Sequence, residues 1–186
     1  MSKSRTGVLI INLGTPDSPS VADVRKYLRE FLMDGRVMDI PFWRRFFLVN
    51  FVIAPFRAPQ SANGYRELWT VKGSPLKVYG QQLEALLDQA LGADFVVKLA
   101  MRYQSPNIRL VLEQFKNKGL KQLIIIPLYP QYASSSTGST IEEVMKVVKS
   151  SSSILIQFIS LFGPATNPSS VLCINKISFF IDPFYV

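Results

Sequence analysis

Four short, largely apolar runs, at residues 7–13, 95–101, 123–128 and 154–158, are separated by stretches of helical periodicity. This alternation restricts the fold more than any other feature of the chain. The first run is nearly continuous and bounded by Gly and Pro, the pattern of a strand covered on both faces. Ser20 caps the next segment, in which Val21, Val24, Tyr27, Leu28, Phe31 and Leu32 recur at helical spacing. Pro41 opens a second helical stretch, residues 42–54, and Pro75 starts an amphipathic helix running to about residue 91. Further helices are predicted over 108–118, ended by Gly119, and over 140–149. Strands alternating with helices predict an α/β fold with a doubly wound parallel sheet and right-handed crossovers.

Length favours one domain over two, and 48% hydrophobic residues in 186 supply a core of real size. The expected domain covers residues 1–160. Residues 161–186 form an apolar tail that reads either as a truncated or altered end or as an edge strand covering the sheet. The net charge of +8 comes from basic residues standing singly or in pairs such as Arg44-Arg45, so no nucleic-acid partner is expected. The same charge suits an anionic membrane face or the carboxylates of a ligand. A lone Cys173 excludes an internal disulfide and an iron–sulfur cluster built by this chain alone. With no signal-peptide pattern and no membrane-length apolar run, a cytoplasmic protein is expected.

The loop after the third strand is the richest in chemistry. It holds Tyr129 and Tyr132, then Ser134, Ser135, Ser136, Thr137, Ser139 and Thr140. In an open α/β sheet ligands bind outside the carboxyl ends of the strands, so an exposed ligand loop over residues 131–140 is expected there. Tyrosine faces and hydroxyls suit a large flat ligand with polar edges. The alternative is a plain connection in which Ser139 and Glu142 form a capping box. A phosphate site at residues 134–140 is a further alternative, weakened because Gly138 stands alone and no GxGxxG or GxxxxGK[ST] occurs.

Four segments in order resemble the N-terminal half of the ferrochelatases: Val8 to Pro16, Tyr65 to Leu76, Met101-Arg102-Tyr103 and the loop beginning at Pro127. The resemblance covers residues 6–158 and implies insertion of ferrous iron, as substrate, into protoporphyrin IX in haem synthesis. It implies no separate cofactor. It also implies that Leu13 touches the porphyrin face and that Arg57, Tyr65 and Ser74 hold its polar edge. Arg102 and Tyr103 would line the pocket opposite the catalytic base, with Tyr103 a candidate oxygen donor to the metal. Tyr129, Tyr132, Ser135 and Thr137 complete the expected substrate-binding set. Residues 42–56, with Phe46, Phe47, Phe51 and Phe56, resemble the family's hydrophobic lip, which implies peripheral membrane contact as the alternative to internal packing.

The family's metal-handling histidine and its acidic partner belong to a second half, and this chain has no histidine. Arg102 stays protonated and cannot serve as the base. The catalytic set is therefore expected to be empty here, leaving a chain inactive alone or a porphyrin-binding module. The acidic residues Asp17, Glu30, Asp34 and Asp39 show no metal-ligand spacing, and no role is assigned to them.

Overall fold

The computed structural model describes residues 5–148, 155–160 and 175–180. The strands are β1 (Thr6–Gly14), β2 (Phe95–Tyr103), β3 (Gln122–Pro127), β4 (Leu155–Ser160) and β5 (Asn175–Phe180). They form one sheet in the order β2-β1-β3-β4-β5. The first four are mutually parallel, as the apolar runs predict, and β5 adds an antiparallel edge beside β4. For Asn175–Phe180 the tail is thus an edge strand; residues 161–174 and 181–186, including Cys173, lie outside the described residues.

Helices cover both faces. Leu9, Ile11, Ala100, Leu123, Ile125 and Ile156 pack against α5 (Ile108–Asn117) and α6 (Ser139–Val148) through Val111, Phe115, Val144 and Val147. Val8, Ile10, Val97 and Leu99 face α4 (Pro75–Leu91), which meets them with Leu83 and Leu87. Successive strand residues point to opposite faces, so nearly every position of β1 is buried, which explains its unbroken apolar run. Chain order reverses between β1 and β3, the kind of point beyond whose carboxyl ends open α/β sheets bind ligands.

That end carries the remaining helices. α1 (Val21–Leu32) packs on α3 (Ala54–Leu68) through Val24, Ala58 and Ala62, small residues that let the two helices approach closely. The sequence pattern ends the second helical stretch at residue 54, before Pro55. Instead α2 (Phe42–Phe47) runs through a π-helical segment, Leu48–Ile53, into α3, and the helix continues past Pro55 and Pro59. Proline lacks an N–H, so both break the hydrogen-bond ladder. Pro55 sits in the first turn of α3, where that loss is least felt, and the π register absorbs the mismatch just before it. Burial of Ala54, Ala58 and Ala62 then favours continuing the helix.

Gly14 closes β1 with φ of 113°, and a Cβ there would lie 2.1 Å from the Tyr103 carbonyl oxygen on the neighbouring strand. Gly14→Ala is expected to cost roughly 2 kcal/mol or more in denaturant unfolding. Gly64→Ala, in open space on α3, is expected to gain roughly 0.5–1 kcal/mol in the same assay.

Candidate active site at the carboxyl edge of the sheet

Parallel pairing brings Leu13, Arg102, Tyr103 and the loop after β3 to one end of the sheet. Gly14 is registered with Tyr103 and Ile11 with Pro127. The Leu128 amide still donates to Ile11 O at 2.7 Å, which fixes where the loop leaves the sheet. Beyond it, Tyr132 is exposed, but Ser134–Gly138 form a second π-helical segment, and Thr137, Ser139 and Thr140 are buried. The expectation of a loop exposed throughout residues 131–140 is corrected accordingly. Tyr129 shares a 2.9 Å hydrogen bond with Thr140, and burial raises the Tyr129 pKa.

The capping-box reading of Ser139 is corrected as well. Ser139 is already helical in backbone conformation, so it does not sit at the N-cap, and its hydroxyl is turned elsewhere. It donates to Asp34 Oδ2 and accepts from Arg102 Nε at 2.7 Å. The same Asp34 oxygen accepts from Arg102 Nη2 at 2.8 Å and from the Tyr103 hydroxyl at 2.9 Å. Asp34 Oδ1 accepts from the Arg36 amide at 2.8 Å. The Arg102 and Asp34 side chains are only 13% and 10% exposed, so the ion pair is largely out of water. Burial pushes the Asp34 carboxyl up; the hydrogen bonds from Ser139, the Arg36 amide and Tyr103, with the charge of Arg102, outweigh it and hold the pKa below the usual value.

Around this carboxylate lies a cleft of about 690 Å³, lined by Glu30, Met33, Asp34, Gly35, Arg36, Arg45, Arg102, Tyr103, Glu142 and Lys146. Arg36 reaches Glu142 at 2.5 Å and Ser134 at 3.3 Å, pinning the loop after α1 to α6. Arg45 donates to the carbonyls of Met38 and Ile40 at 3.0 and 3.2 Å, which ties that loop to α2.

Of the expected site residues, only Arg102 and Tyr103 line this cleft. Tyr103 is buried and its hydroxyl is engaged with Asp34, while burial, first among several effects, pushes its phenol pKa well above the ordinary value. In this arrangement the Tyr103 hydroxyl proton is committed to Asp34. Leu13 is half-buried at the end of β1, and Ser135 half-buried in the π segment. Ser74 is buried at the N-cap of α4, where its carbonyl accepts from the Lys77 and Val78 amides. Arg57 is exposed on α3. Tyr65 meets Tyr27 edge-on at 6.3 Å; Tyr27 stacks on Phe31, and Phe31 meets Tyr103 at 5.3 Å, so an aromatic ladder joins Tyr65 to the rim of the cleft.

Asp34 is what the sequence reading missed. Nothing local marks it as a site residue, because its side-chain partners Arg102, Tyr103 and Ser139 lie 68 to 105 residues away in the chain. In the aromatic stretch Trp43, Phe47, Phe51 and Phe56 project outward from the described residues, Phe56 being 79% exposed, while Val49 and Ala54 face inward. Among the described residues no helix is long and apolar enough to cross a membrane.

The pH response of Asp34 has a definite sign. A carboxyl whose pKa is lower folded than unfolded adds stability above the unfolded value, near 3.8, and loses it as pH falls through the folded value. Asp34→Asn is therefore expected to be markedly less stable than the parent at pH 7, by about 3 kcal/mol if Arg102 is left uncompensated. Thermal melts across pH should show the gap shrinking below about pH 4.

The chain matches the ferrochelatase family model over residues 5–168. It is 47% identical over 143 residues to a ferrochelatase of Coxiella burnetii (strain Dugway 5J108-111), a match covering 77% of this chain and 40% of that protein. Ferrochelatase of Alcanivorax borkumensis is 45% identical over 148 residues, covering 77% and 43%. That of Legionella pneumophila (strain Corby) is 46% identical over 141 residues, covering 76% and 42%. The chain thus spans about 40% of the length of these curated relatives.

Proposed function

The chain belongs to the ferrochelatase family, and from that membership we propose that its protein inserts ferrous iron into protoporphyrin IX, these residues forming one wall of the porphyrin cleft. The observation that carries the proposal is the convergence of Leu13, Arg102, Tyr103 and the Tyr129–Thr140 segment on one end of the sheet, at the chain reversal where α/β sheets bind ligands.

Each group then has a task. Leu13 and the exposed Tyr132 offer apolar surface to a ring face. Arg57 pairs with a propionate, and Tyr65 and Ser74 add neutral hydrogen bonds at the polar edge. Arg102, fixed by Asp34, presents a permanent positive charge at the rim, which orients anionic groups but takes no proton. The two pyrrole protons must go to a base, and the chain has no histidine to accept them near neutral pH. Binding and orienting the macrocycle is the part of the reaction these residues serve.

The competing phosphate reading fares worse. Thr137, Ser139 and Thr140 are buried, and the Ser139 hydroxyl is engaged with Asp34 and Arg102, so half of that hydroxyl run is withdrawn from an external anion.

Fluorescence titration tests the proposal. The 186-residue chain should bind protoporphyrin without metallating it faster than buffer. Arg57→Ala should weaken binding by about 1.5–3 kcal/mol, the scale of a charge-assisted hydrogen bond. That loss should vanish with a porphyrin whose propionates are esterified, and equal losses for both ligands would remove Arg57 from the site.

The exposed aromatics support a second element of the proposal, peripheral contact with a membrane surface through residues 42–56. Phe47, Phe51 and Phe56 present apolar area beside Arg44 and Arg57, a pairing suited to an anionic interface. Co-sedimentation with anionic vesicles should fall by roughly tenfold or more in Phe47→Ser/Phe51→Ser/Phe56→Ser. Unchanged sedimentation would rule the contact out.

A further inference from the structure

Consecutive residues of a strand project to opposite faces. Yet Arg102 and Tyr103, the last two residues of β2, both reach the same oxygen of Asp34, with the guanidinium carbon 4.6 Å from the centre of the Tyr103 ring. The pleat still sets where their Cβ atoms leave β2, but it does not set where the two polar ends go, and the strand stops there, with Gln104 following at φ of 66°. A tertiary contact must do so. Asp34 is the acidic group placed to act. Of the other carboxylates lining the cleft, Glu30 accepts from the backbone and side chain of Gln104, and Glu142 pairs with Arg36 and Lys146.

We infer that Asp34 is a positioning residue: its carboxylate sets the orientation in which Arg102 and Tyr103 meet the cleft. The carboxylate is itself held against rotation. Oδ1 takes the Arg36 amide, and Oδ2 takes Arg102, Tyr103 and Ser139. Ser139 closes a triangle by accepting from Arg102 Nε, so both donors along one edge of the guanidinium, Nε and Nη2, are fixed at once. A planar fork held at both donors of one edge has little freedom to swing, and its other donors have a defined direction. The consequence for ligand binding rests on the porphyrin-cleft reading; the positioning itself does not.

The test uses the full 186-residue chain in two arms. Without ligand, NMR follows the Arg102 Nε–H and Tyr103 Cζ signals, with Tyr79, exposed on α4, as control. Asp34→Asn should move the first two and leave Tyr79 in place; unmoved Arg102 and Tyr103 signals would overturn the inference. With protoporphyrin, Asp34→Asn should weaken binding roughly tenfold in the parent background and add nothing in an Arg102→Gln background. The double variant should recover melting temperature, because charge and counter-charge leave together, without recovering affinity. Affinity that simply tracks melting temperature, or an equal Asp34→Asn loss in both backgrounds, would reduce Asp34 to a folding role. A parent chain that binds no porphyrin would sink the cleft reading, and the ligand-free arm would still decide the positioning.

Discussion

Taking a carboxylate out of water costs several kcal/mol unless donors replace the lost hydration. At Asp34 they do: one guanidinium, two hydroxyls and one backbone amide converge on its two oxygens. The result is more than a satisfied ion pair. The groups come from the loop after α1, the end of β2 and the start of α6, and the same loop leads through Arg45 into α2. Removing the carboxylate would strand a buried cation and free three segments together. The candidate site depends on this contact, because the pleat of β2 alone does not bring the polar ends of Arg102 and Tyr103 together.

A related economy governs the sheet. β2 is an edge strand, and an edge leaves N–H groups unpaired. Three of them are covered: the Val97 amide donates to Asp88 and the Leu99 amide to Glu84, both on α4, while the Met101 amide donates to Pro106 O. Glu84 also pairs with Lys98 at 2.6 Å. α4 therefore acts on β2 twice, packing Leu83 and Leu87 on its face and supplying acceptors to its edge. A strand secured in this way holds its carboxyl end in register with β1, and the cleft inherits that precision.

The aromatic helix follows a different logic. Val49, Ala54, Ala58 and Ala62 are buried while Trp43, Phe47, Phe51 and Phe56 are exposed, which is the reverse of the usual allocation of large and small apolar residues. An exposed aromatic face of this kind is the surface on which the proposed peripheral contact rests. Both π-helical segments fall in regions of functional interest, one in this helix and one in the hydroxyl loop after β3. Such segments shift the side chains that follow out of ordinary helical register, which bears on Phe56 in the first case and Ser139 in the second.

Strand positions, parallel pairing and the end of the sheet where a ligand would sit were legible in the amino-acid order, because they follow from local period and from burial of both strand faces. Residues 95–101 and 123–128 fell within a residue or two of the observed strands, and the quoted motifs led to the right family. Other features were decided only by contacts between distant segments. Ser139 followed by Glu142 satisfies a capping pattern, yet Ser139 is drawn to Asp34 and Glu142 to Arg36. Pro55 and Pro59 signal a helix end locally, but α1 offers Ala58 and Ala62 a buried surface that outweighs two missing hydrogen bonds. Asp34 carries no local sign at all, since a carboxylate becomes an anchor only when folding brings donors from residues 102, 103 and 139 to its oxygens. Periodicity is written in neighbouring residues; the direction of a charged side chain at the end of a strand is set by whatever the tertiary fold places opposite it.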